Sequence, residues 1–219
     1  MVPEYVFTQN ELTPSVVTLG NFSTHVWIQQ RWQDGEYAVY IRNNGCGHCC
    51  TAMALNLSGI KITPYEEYVH CRKLWGEPRR DDENKEDNFM SVSGIVKVLS
   101  SFGVKAEYFG VPVGKTKEAA EHIESSLKCG KLVIFWSALS SKLADNPFSP
   151  GHHYVLAVGI DGEGRIIIAN SSSRSKAVNG IQYTDTETIA KALMEGCKPL
   201  DYTWGRHNLN HSSGYVVVG

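Results

Sequence analysis

Cys46 is the residue best placed to do covalent chemistry, standing between Gly45 and Gly47 ahead of a small-residue and apolar segment, Thr51 to Leu57, that ends at Gly59. The pattern predicts a turn feeding straight into a helix, with Gly45 giving the backbone freedom for a sharp approach and Gly59 a C-terminal stop. A cysteine in the first turn of a helix faces unpaired backbone N–H groups and the positive end of the dipole, so its thiolate is expected to be stabilised. Cys49 and Cys50 fall one turn further on, among Thr51, Ala52 and Met53, and read as small core residues.

A thiolate nucleophile needs a proton acceptor within hydrogen-bond reach, and the acceptor needs a third group to hold its tautomer. His152 and His153 open an apolar run, Tyr154 to Val158; Asp161 to Gly164 makes a turn; Arg165 to Ala169 returns toward Asn170. Residues 153–169 therefore predict a hairpin that brings His153 near Asn170. Strand side chains alternate, so His152 and His153 point to opposite faces and only one can meet Cys46. A lone strand histidine is ordinarily structural, but a facing Asn and a helix-start Cys in the same chain favour function. His153 is the predicted base and Asn170 its orienter.

The elements that must position these residues follow from the spacing of apolar residues. Residues 1–36 carry scattered apolar positions around Gly and Pro breaks and predict extended segments and loops. Helices are predicted at the Cys46 segment, at Pro64 to Trp75, after Ser91 to Gly103, at Lys115 to Lys128 and at Asp185 to Glu195. Strands are predicted at Leu132 to Trp136, in the 153–169 hairpin and at Tyr215 to Val218. Helices first and antiparallel strands after is an α+β order, a mainly helical half over 1–104 and a mainly strand half over 105–219, read as one domain over 1–219. Leu143 to Pro150 is a loop leading into His152, expected as a rim of the reactive site.

The chain has 219 residues and a formal net charge of -2, with no basic cluster, which argues against nucleic acid as a partner. The run from Arg79 to Asp87 mixes both signs and reads as a solvated loop. No apolar run approaches bilayer length, and Met1 to Glu4 lack the features of a secretory signal. The expectation is a cytoplasmic protein, or a secreted one if a signal peptide has been removed. Three of the 6 cysteines crowd one helix start, so free thiols are the simpler reading than a disulfide framework.

The Gly45-Cys46-Gly47 turn with its Ala/Met/Leu-rich helix, the Gly130 to Ile134 strand, the Gly151 to Gly159 strand and the Asp161 turn with Arg165 to Asn170 resemble the bacteriocin-leader (double-glycine) type of cysteine peptidase. The likeness runs over about residues 26–170 and keeps motif order and spacing. It implies a papain-like fold, a bacterial peptidase acting on a peptide or protein, no cofactor or metal, Cys46 as nucleophile and His153 as base. It also implies an upstream glutamine donating to the oxyanion, Gln30 in preference to Gln29, with Gly45, Gly151 and His152 lining the substrate. This chain departs from the pattern at His48, where relatives usually have Pro, and at Asn170-Ser171, where they usually have Asp-Pro. Either Asn or Asp accepts an imidazole N–H, so Asn170→Asp is expected to keep activity.

Three rival readings use the same residues. Cys46-Gly47-His48-Cys49 is a C-x-x-C with the spacer of disulfide isomerases, but no Trp precedes it and no thioredoxin-like βαβ pattern surrounds it. A zinc site from Cys46, Cys49 and His48 or His152 lacks a second Cys/His pair at ligand spacing. A catalytically inactive papain-like binding module is the third, and the two departures are its support.

Overall fold

A computed structural model describes residues 16–27, 45–74, 91–137, 146–173, 175, 177–193, 195 and 214–219. The elements, in chain order, are β1 (Val16–Leu19), β2 (Phe22–His25), α1 (Cys46–Leu57), α2 (Pro64–Leu74), α3 (Val92–Ser101), β3 (Ala106–Phe109) and α4 (Thr116–Lys128). They are followed by β4 (Leu132–Ser137), β5 (His153–Ile160), β6 (Ile166–Ala169), β7 (Ile181–Thr184), α5 (Thr186–Ala192) and β8 (Tyr215–Val218). The fold is α+β, as the order of elements predicts.

Helix boundaries follow local chemistry. α2 begins with a capping box: Thr63 Oγ1 accepts from the Glu66 N–H at 3.2 Å, and Glu66 Oε2 accepts from the Thr63 N–H at 2.8 Å. Pro64 is the first residue of that helix, where its missing N–H costs nothing. Ser91 caps α3 by accepting from the Gly94 N–H at 3.0 Å, and Asp185 caps α5 by accepting from the Thr188 N–H at 2.6 Å. Gly59 stops α1 with φ +92°, and a Cβ there would stand 2.9 Å from the Phe22 ring. α5 ends at Ala192, short of the predicted Glu195, because Leu193 turns extended and bridges to Ser137.

The larger sheet has the order β3-β8-β4-β5-β6-β7, and each neighbouring pair is antiparallel. Both of its faces are covered, which is why β4 and β5 read as unbroken apolar runs rather than alternating ones. Leu132, Ile134, Trp136, Tyr154 and Leu156 face a core shared with α1 and α3. Val133, Phe135, Val155 and Ala157 face a second core shared with α4 and α5. α1 is buried at every residue except Asn56. β1 and β2 form a separate hairpin whose Val17 joins the α1 core.

Candidate active site

α1 starts at Cys46 itself, directly after Gly45. Gly45 has φ -82°, so the special freedom expected of it is not used; the chain enters the helix through an ordinary turn, and the Gly45 carbonyl accepts from the Cys49 N–H at 2.8 Å. Cys46 is 5% exposed, and its sulfur lies against the backbone N–H groups of Tyr154 and Gly47. Those donors favour the thiolate, but burial acts more strongly and pushes the thiol above its ordinary value. The thiolate stabilisation expected from the helix start is thus outweighed by loss of water. Cys49 and Cys50 are fully buried in the core, as expected.

His153 is the first residue of β5 and pairs with Ser137, the last of β4. Leu156 pairs with Ala169, so Asn170 leaves β6 beside the start of β5. His153 Nε2 lies 2.9 Å from Asn170 Oδ1, and both side chains are buried. Three further contacts fix the orientation of that amide. Asn170 Nδ2 donates to the Phe148 carbonyl and to Gln182 Oε1, each at 2.9 Å, and Oδ1 accepts from the Ser172 N–H at 2.9 Å. A backbone carbonyl accepts only and a backbone N–H donates only, so Oδ1 must be the atom that faces His153. His153 therefore carries its proton on Nε2, and Nδ1 keeps its lone pair. Burial pushes the imidazole down to about 4, with the Asn170 bond acting the other way, so the ring is neutral at neutral pH.

His152 takes a different partner, stacking on the Trp136 ring at 5.6 Å and 20°. His152 lies in the bend before β5, so the alternation expected of two neighbouring strand residues does not apply to it. Burial lowers its imidazole as well. Gly151 follows the predicted rim loop, of which residues 146–150 are described, and its N–H donates to Ser149 Oγ at 3.2 Å. In that loop Phe148 is fully buried against Phe135, and its carbonyl holds Asn170. Gln30 and Gln29 lie outside the described residues.

His48, unexpected where Pro is usual, has a buried partner. Its Nδ1 stands 2.6 Å from Glu67 Oε2, both residues are buried, and the Tyr68 ring meets the imidazole edge-on at 4.9 Å. Burial raises the Glu67 carboxyl, and His48 holds it down in part. Sequence reading missed Glu67 and Gln182; Gln182 sits in a strand, Ile181–Thr184, that alternates apolar and polar residues, so nothing local singles it out.

The model of the family described as Peptidase_C39 like matches residues 23–194, most of the chain. No curated protein matches. Among solved structures, a candidate C39-like peptidase from Bacillus anthracis is similar with a TM-score of 0.50 and 16% identity, over 88% of this chain and 93% of that one. The peptidase domain of Streptococcus ComA, a bi-functional ABC transporter involved in a quorum sensing pathway, has a TM-score of 0.46 and 11% identity, over 80% of this chain and 91% of that one. A cysteine opening a buried helix, packed on an antiparallel sheet that presents histidine and asparagine, agrees with the family match, and the chain belongs to the Peptidase_C39 like family, cysteine peptidases of papain-like fold.

Proposed function

We propose that the chain hydrolyses a peptide amide through a Cys46-His153-Asn170 triad and an acyl-enzyme. The observation that carries this reading is the buried 2.9 Å contact of His153 Nε2 with an oriented Asn170, at the strand start where the next backbone N–H meets the Cys46 sulfur. Cys46 and His153 are both neutral at rest, so the thiol proton passes to Nδ1 as sulfur attacks the carbonyl. The oxyanion is held by the Cys46 N–H and the Gln30 side chain, with Gly45, Gly151 and His152 along the substrate. The C–N bond then breaks, the imidazolium protonates the leaving amine, and water deprotonated by His153 cleaves the thioester. Asn170 keeps Nε2–H engaged throughout.

The test is cleavage of a mixed peptide library followed by mass spectrometry, with intact-mass detection of the acyl-enzyme. Cys46→Ala should abolish turnover, and His153→Ala should lower it by roughly 10²–10⁴-fold. His152→Ala should stay within about tenfold, since stacking beside a site affects binding more than proton transfer. Loss of activity in His152→Ala with retention in His153→Ala would move the base to the other histidine. Full activity in Cys46→Ala would end the reading. Insulin reduction that depends on Cys49 would favour the disulfide exchange alternative, against which stands the antiparallel pairing of every described strand.

A further inference from the structure

We propose that His48, Glu67 and Cys71 form a buried site for one divalent cation of the zinc class, tying the start of α1 to α2. Glu67 and Cys71 are four residues apart in α2, hence on one face of that helix, and His48 meets them from the first turn of α1. One ligand atom from each residue lies within 4.8 Å of the others, and all three residues are buried. Tetrahedral zinc, with bonds of about 2.0–2.3 Å, separates its ligand atoms by roughly 3.3–3.8 Å, so small side-chain rotations close the site.

The second, independent observation is an orphaned oxygen. Glu67 is 0% exposed, and while Oε2 pairs with His48, Oε1 has no hydrogen-bond partner among the described residues. A buried carboxylate oxygen without a partner is costly, and a bound cation would satisfy it. Charge favours the same assignment, because a carboxylate, a thiolate and a neutral imidazole balance a divalent ion with no net charge left in the core. The thiol and imidazole donors suit zinc and its chemical neighbours, whereas calcium and magnesium require more oxygen ligands than this trio offers. Loading displaces the Cys71 thiol proton, which burial and the nearby Glu67 otherwise hold firmly in place. Tyr68, edge-on to His48, fixes the ring as an outer-shell partner would.

This assignment does not depend on peptidase activity, and its test is metal content. Protein stripped with chelator and incubated with zinc should retain one equivalent after gel filtration, in the wild type and in Cys46→Ser and Cys49→Ser alike. Cobalt should give a thiolate charge-transfer band in those three proteins and none in Cys71→Ser. Glu67→Gln preserves packing and the contact with His48, and it should weaken zinc binding at least tenfold and remove the zinc-dependent rise in Tm. Retention of well under one equivalent by the wild type would overturn the proposal. So would a cobalt band that disappears with Cys46 or Cys49 instead of Cys71.

Discussion

Asn170 has no spare hydrogen-bonding capacity, since two donors and two acceptor positions are all engaged at 2.9 Å. Gln182 could turn its amide to meet a carboxylate, but the Phe148 carbonyl could not. Asn170→Asp should therefore cost about 1–3 kcal/mol in stability, read from urea melts, even where activity is kept. The same variant should raise the pH at which His153 titrates, because a carboxylate stabilises imidazolium. His153 also makes stability depend on pH. Its folded value of about 4 lies below the unfolded value of about 6.5, so between them the unfolded chain binds more protons. Stability is present above pH of about 6.5 and is lost as pH falls toward 4, by on the order of 3 kcal/mol. Urea melts across that window should show a shallower loss in His153→Gln, and the acid limb of kcat/KM should lie near 4 instead of 6.5.

Between elements, the His48–Glu67 pair joins the helix that carries Cys46 to the helix beside it. Substituting His48→Pro, the residue the family resemblance leads one to expect, would leave the Glu67 carboxylate buried and alone. With chelator present, that change should cost about 3–5 kcal/mol and lower Tm by on the order of 10 °C, and joint replacement as His48→Phe with Glu67→Leu should recover most of the loss. This pair also shows where sequence reading ran out. Cys46, His153 and Asn170 were legible because a helix start and a hairpin are local, and each declares itself within about twenty residues. Glu67 reads as one of several acidic residues near a helix start, and only the packing of α2 on α1 singles it out. The thiol of Cys46 was misjudged for a related reason: the dipole is a local property, whereas the burial that outweighs it is supplied by the sheet.

At the scale of the whole molecule, the six-stranded sheet separates two cores, and the histidine–asparagine pair sits at the adjoining ends of β5 and β6. β8 occupies an inner position between β3 and β4, and all four of its residues are buried. Each such side chain contributes about 1.5–3 kcal/mol, so deleting residues 214–219 removes an amount comparable with the whole stability of a typical domain, about 5–15 kcal/mol. The truncated protein should be insoluble or should lack a cooperative thermal transition, as measured by calorimetry. The position of β8 also has a consequence in time. Ribosomes deliver this strand after every other described element, and until it arrives β3 and β4 have no hydrogen-bonded neighbour between them and the core beneath α3 lacks Val216 and Val218. A nascent chain thus carries Cys46 on an unfinished support, and the arrangement proposed for catalysis is deferred until synthesis has passed the last valine of the sheet.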